Sequence, residues 1–122
     1  MPEEMANKVI GAALEVHSEI GPGYFECIYE EALAREFEMR EIPFERQKII
    51  QLHYKGHQIG EYRLDFLVAN QLIVELKAVD CFSTIHTAQV LSYLKATDLR
   101  LALLINFNVP SLKTGIKRVV LG

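Results

Sequence analysis

Tryptophan is absent from the 122 residues, and cysteine occurs only twice, at Cys27 and Cys81, far apart and in no Cys-x-x-Cys pair. A zinc knuckle or dithiol redox motif is therefore not indicated, and both thiols read as reduced packing residues. No apolar run approaches the roughly 20 residues of a membrane span. The amino terminus, MPEEMANK, is acidic and lacks the basic head of a secretion signal. Together these absences lead us to expect a cytoplasmic address and no membrane partner. Basic residues are also in deficit, 13 Lys and Arg against 16 Asp and Glu, for a net charge of −3. Such a molecule repels a polyanion unless its bases gather on one side, which counts against avid, non-specific nucleic-acid binding. Repeats, low-complexity tracts and linkers are missing too, so residues 1–122 are expected to close around one core as one domain. With 50% hydrophobic and 24% charged residues, the composition excludes disorder.

Periodicity divides the chain into elements. Met5, Val9, Ala12, Val16 and Ile20 recur at helical spacing, and Gly21-Pro22-Gly23 ends that helix, since proline cannot continue the hydrogen-bond ladder. Phe25, Ile28, Tyr29, Ala32, Leu33 and Phe37 repeat the pattern, so a second helix should run to about Arg40 and stop at Ile42-Pro43. From Phe44 to about Val79 the period turns strand-like, with turn signals at Lys55-Gly56 and Ala69-Asn70-Gln71, which predicts a three-stranded meander. Ser83 suits the N-cap of a third helix carrying Ile85, Val90, Leu91 and Leu94 and ending near Thr97-Asp98. LRLALLINF reads as a strand covered on both faces, and Ile116 to Leu121 as a short edge strand. The order α-α-β-β-β-α-β-β predicts an α/β fold with a mixed sheet flanked by helices.

Inside YRLDFLVANQLIVELKAV, two carboxylates and a lysine interrupt what otherwise reads as buried strand: Asp65, then Glu75-Leu76-Lys77. Burying an unpaired charge costs several kcal/mol or drives the group to neutrality, so these residues need a partner, and a divalent cation is the natural one. A three-residue turn at Ala69-Asn70-Gln71 pairs Val68 with Leu72 and sets Asp65 opposite Glu75. Strand alternation then points Lys77 the same way as Glu75, and all three charges converge on one face. A two-residue turn would shift the register by one and spoil the alignment. Mg²⁺ takes one or two protein carboxylates and keeps several waters, and Asp65 and Glu75 fit that count. Such an ion activates phosphodiester hydrolysis, with the Lys77 ammonium orienting a water or offsetting negative charge. Alternatively, Glu75 and Lys77 are solvent-facing charges on a half-exposed strand.

Other residues invite a role. At about 100° per residue, Glu26 falls between Leu33 and Phe37 on the helical wheel, along the flank of the apolar stripe, either facing the metal site or favouring the positive end of its helix. His86, Gln89 and Tyr93 gather on one side of the third helix; Gln89 can donate to phosphate or base edges and Tyr93 can stack, or they are a helix-start histidine and a core-edge aromatic. His53 and His57 flank a turn without a third ligand nearby, so we reject a zinc site there. Lys113, Lys117 and Arg118 form a small basic cluster, either a solvated face or a phosphate-contacting rim.

Asp65 with Glu75-Leu76-Lys77 resembles the pattern of the PD-(D/E)xK nuclease superfamily, and Gly23-Tyr24-Phe25-Glu26-Cys27-Ile28-Tyr29 looks like the signature of the small GxxExxY proteins within it. The likeness continues through VHSEIGPG, YEEAL, VELKAV, AQVLSYLKAT and LLINFNVP. It implies a restriction-endonuclease-like core and a metal-dependent nuclease acting on DNA rather than RNA. Asp65 and Glu75 would be ligands of Mg²⁺ or Mn²⁺, helped by the Leu76 carbonyl and by Glu26, the helix carboxylate some members add. Lys77 would be the catalytic lysine beside Asp65 and Glu75. Gln89 and Tyr93 match a Gln-x-x-x-Tyr pattern of exonuclease-like members and, with Tyr29, would contact substrate. The competing reading is a non-catalytic nucleic-acid- or protein-binding module that retains the fold. A homodimer would supply the substrate-grasping surface that so short a chain lacks.

Overall fold

The computed structural model describes residues 1–122. Helix α1 (Pro2–Ile20) starts with proline, whose missing N–H is no loss in a first turn, and with Glu3 and Glu4 at the positive end of the helix dipole. It stops where Gly21 and Gly23 take φ of 68° and 106°, values that side chains disfavour. Helix α2 (Glu26–Met39) follows, and α3 spans Thr84–Thr97 behind its N-cap Ser83. The strands are β1 (Phe44–Tyr54), β2 (His57–Val68), β3 (Leu72–Lys77), β4 (Leu101–Asn106) and β5 (Ile116–Val120), with a 3-10 turn at Leu112–Gly115 that the sequence did not announce.

The sheet order is β1-β2-β3-β4-β5, antiparallel throughout except for the β3–β4 pair, which α3 joins by a crossover. The mixed five-stranded sheet with helices on both faces is the expected α/β, restriction-endonuclease-like fold, and all six residues of β4 are buried, as a central strand requires. Tyr54–His57 closes one hairpin, and a three-residue turn closes the next, with Val68 opposite Leu72.

Two cores lie on opposite faces. One face packs α1 and α2 through Val9, Val16, Leu33 and Phe37 onto Phe66, Val74, Leu76 and Leu103, with Phe37 meeting Phe66 edge-on at 5.2 Å. The other face packs α3 through Val90, Tyr93 and Leu94 onto Leu64, Ile73, Ala102 and Leu104. At about 25 cal/mol per Å² of apolar surface removed from water, these two layers supply the main drive to fold.

Candidate active site

Strand β3 keeps strict alternation. Leu72, Val74 and Leu76 face α1 and α2 whereas Ile73 faces α3, so Glu75 and Lys77 lie on the α3 side. The β2–β3 pairing proceeds from Val68–Leu72 to Phe66–Val74, and the next step outward brings Asp65 to Glu75. There the side chains take over from the ladder: the Asp65 amide donates to Glu75 Oε1 at 3.0 Å, and Asp65 Oδ2 accepts from the Leu76 amide at 2.8 Å.

Strand β2 does not keep alternation, and here simple counting needs correction. Leu64 packs in the α3-side core, but Phe66, two residues on, packs in the opposite one. Strand β1 changes sides over the same stretch, Phe44 lying against the α1–α2 core and Ile50 against the α3 core. Gln47, between the pairs Arg46–Phe66 and Lys48–Leu64, is the pivot. Its φ is 51°, whereas the other non-glycine residues of positive φ, Glu41, Lys55, Ala69, Asn70 and Asp98, sit in turns or at a helix end. Asp65 thus occupies the crossing point between the faces, which the regular period of 2 could not give.

The same kink brings in a residue the sequence reading missed. Gln47 Nε2 donates to Glu30 Oε1 at 2.7 Å and lies 3.5 Å from Asp65 Oδ1, while Arg46 holds the other Glu30 oxygen at 3.1 Å. Glu30 is one turn beyond Glu26 on α2, so the i, i+4 spacing was the available signal. Glu26 itself is exposed, and no three Asp, Glu, His or Cys side chains gather as a metal cluster. The centre pairs the buried Glu75 with the half-buried Asp65, and Glu30 and Glu26 on α2 both act on Asp65, Glu30 the more strongly.

Electrostatics of the pair are those of two like charges out of water. Burial, then the Asp65 charge, pushes the Glu75 carboxyl up to about 9, with Lys77 pulling the other way. Asp65 is raised too, by burial first, against the Leu76 amide bond that lowers it. Each carboxylate has one oxygen committed to a backbone N–H, and the other Asp65 oxygen accepts only the long 3.5 Å bond from Gln47; two adjacent acids that resist ionising together suit a hard divalent ion. Lys77 is half-buried and makes no ion pair, leaving its ammonium available.

Tyr93 is brought to the pair: it is buried, and its phenol is pushed up to about 12 by burial first and then by the charge of Glu75. Gln89 is half-buried on the preceding turn and has no hydrogen-bond partner in the chain. Tyr29 is not at the surface. It is 0% exposed, stacks on Phe107 at 4.5 Å, and its hydroxyl donates to the Gly21 carbonyl at 2.6 Å while accepting from the Tyr24 amide. It pins the α1–α2 turn and has no face to offer a substrate, which corrects the expected contact role. His86 serves the start of α3, its Nδ1 accepting from the Ser83 amide. The basic cluster is divided, Lys117 donating to Thr87 on α3 and Arg118 pairing with Glu3 on α1. Both cysteines are free but exposed, so neither packs as expected.

Asn106 is the second missed residue. Buried at the end of β4 and level with Lys77, it donates to the Val79 carbonyl at 2.8 Å and accepts from the Val79 amide at 3.1 Å. This two-way clamp fixes the chain as it leaves β3. Only the fold brings the two segments together, since 27 residues separate them.

No helix of the chain is long and apolar enough to cross a membrane, and no curated protein matches it. A sheet carrying paired carboxylates and a lysine at adjacent strand ends is accounted for by the family comparison, in which the model for the PD-(D/E)XK nuclease superfamily matches residues 3–119, and the chain belongs to that superfamily.

Proposed function

We propose that this protein is a metal-dependent nuclease of the GxxExxY group that hydrolyses phosphodiester bonds, in DNA rather than RNA. The observation that carries the reading is the Asp65–Glu75 pair, half-buried and buried, with the unpaired Lys77 one alternation beyond Glu75 on the same strand face. PD-(D/E)XK nucleases generally use divalent metals, usually Mg²⁺, and the donor chemistry of this pair fits Mg²⁺ or Mn²⁺. Asp65, Glu75 and the Leu76 carbonyl would hold the ion, with water completing its shell. Bound there, it would supply positive charge against the scissile phosphate and a more acidic water.

The protein's own groups do the rest. The Leu76 and Asp65 amides fix the two carboxylates, so that no reorientation is needed when substrate arrives. Lys77, without a carboxylate partner, holds the attacking water or offsets charge on the phosphate. Tyr93 and Gln89 lie on the same side and can donate to phosphate oxygens.

One observation favours the second reading, a binding module: the neighbouring acid Glu30 is tied by Arg46 and Gln47 rather than left free to join the pair. Cleavage assays decide. With Mg²⁺ or Mn²⁺, wild type should nick DNA, and Asp65→Ala and Lys77→Ala should lose activity about 100-fold or more with the circular-dichroism spectrum retained. Undiminished cleavage in both variants overturns the nuclease reading. Calorimetric titration showing no Mn²⁺ binding near neutral pH supports the module.

A further inference from the structure

A cavity of about 540 Å³ lies between the outer half of the β1–β2 hairpin and the last turns of α3. That is the size of a site for a small ligand or a few linked units of a longer one. Hairpin residues Gln51, His53, Ile59 and Tyr62 form one wall, and Ser92 and Lys95 belong to the other. No acid lines it, although the chain carries 16 of them. One ammonium, one imidazole and several hydrogen-bonding groups instead surround an apolar floor. Ile59 and Tyr62 remain 65% and 38% exposed. Glu61 bonds the lining residue Gln51 from outside the cavity, so the charge offered to an anionic ligand within it is that of Lys95.

One wall of the cavity touches a residue of the candidate active site through an aromatic pair. The Tyr62 ring meets Tyr93 edge-on, with centroids 4.8 Å apart, and Tyr93 lies in the field of Glu75 and Asp65. A ligand lying along the hairpin would therefore pass from Lys95 over Tyr62 to the carboxylate pair. Its chemistry has to combine regular negative charge with flat apolar faces. A duplex offers phosphates, but its bases are stacked away from a ring set inside a concavity, whereas an unpaired strand offers both.

We propose that the groove between the β1–β2 hairpin and α3 receives single-stranded nucleic acid, with bases stacking on Tyr62 and a phosphate held by Lys95, and delivers it to the Asp65–Glu75 pair. The assignment rests on the nuclease reading for its direction toward the pair. It does not rest on it for binding itself. His53, exposed near the hairpin tip, adds an imidazole N–H donor to the same wall.

Fluorescence anisotropy of a labelled oligothymidylate of about 15 nucleotides, in EDTA so that cleavage cannot occur, tests this against a duplex of equal length. Wild type should bind the single strand more tightly. Tyr62→Ala should weaken binding by about 10-fold or more, as expected for a lost base stack. Lys95→Gln, an exposed helix position where misfolding is not at issue, should weaken it and reduce the salt slope by about 1. No binding of the single strand, a preference for duplex, or an unchanged salt slope in Lys95→Gln overturns the proposal. Single strand held in the groove but left uncut with Mg²⁺ or Mn²⁺ supplied would keep the groove and remove the nuclease reading. Cleavage with unaltered KM in both variants would do the reverse.

Discussion

Asp65 and Glu75 grip backbone as well as facing each other: the Asp65 amide donates to Glu75 Oε1, and Asp65 Oδ2 accepts from the amide of Leu76, the residue after Glu75. Two carboxylates are thereby held side by side by the strands that carry them, at a point where the sheet would otherwise pair normally. The arrangement pre-orients ligands but forces like charges together, and this tension has consequences for pH, metal and stability.

The pH dependence follows from the raised carboxyls. Glu75 binds its proton more tightly folded than unfolded, so its stabilising contribution is present in full below its ordinary value of 4.5 and is lost as pH climbs toward about 9. Asp65, also raised, acts in the same direction. Metal-free protein should therefore lose up to about 1.4 kcal/mol per pH unit across that window, read from urea midpoints. Glu75→Gln should flatten the slope. Under the proposed function Mn²⁺ takes the deprotonated pair, so added Mn²⁺ should also flatten the slope and raise the melting temperature most at the alkaline end.

Gln47 separates strain from function. A left-handed conformation costs a side-chain-bearing residue roughly 1–2 kcal/mol, so Gln47→Gly should be neutral or slightly stabilising, and Gln47→Ala neutral or slightly destabilising. Both remove the amide that ties Glu30 and approaches Asp65. Mn²⁺ affinity by calorimetry should fall about 10-fold in both, with the two variants differing in melting temperature but not in affinity.

Asn106→Ala should act on placement. It strips Val79 of both bonds and leaves a part-buried amide and carbonyl without their partner, a cost of about 2 kcal/mol in thermal or urea unfolding. Because the clamp lies two residues past Lys77, kcat should fall more than KM rises. Unchanged kcat and KM per folded molecule would assign Asn106 to stability alone.

Tyr29→Phe tests the corrected role of that residue. Losing the hydroxyl bonds to Gly21 and Tyr24 should cost about 1 kcal/mol, visible as a lower melting temperature. KM and single-strand affinity should stay at wild-type values.

Much of this was legible because local chemistry is written residue by residue. The turn at Ala69-Asn70-Gln71 has the expected three-residue length, and that length alone put Asp65 level with Glu75. The all-apolar LALLIN became the fully buried central strand, and the Gly-Pro-Gly interruption separated α1 from α2. What escaped was set by contacts distant in sequence. Glu30 resembles any surface acid until Gln47 and Arg46 reach it from β1, and Asn106 resembles any strand-end polar residue until Val79 folds over it. Tyr29 was misplaced for a related reason: a helical wheel gives a direction but not what the neighbouring elements put there.

The sequence by itself determined which groups exist and in what register two adjacent strands present them, because turn length and the two-residue period of a strand are local properties. Only the tertiary structure decided which face Asp65 ends on, since the change of sides at Gln47 depends on two helix layers competing for opposite surfaces of one hairpin. It also decided how far the acids resist ionising. That resistance comes from burial and from neighbouring charges, and neither exists until the layers close.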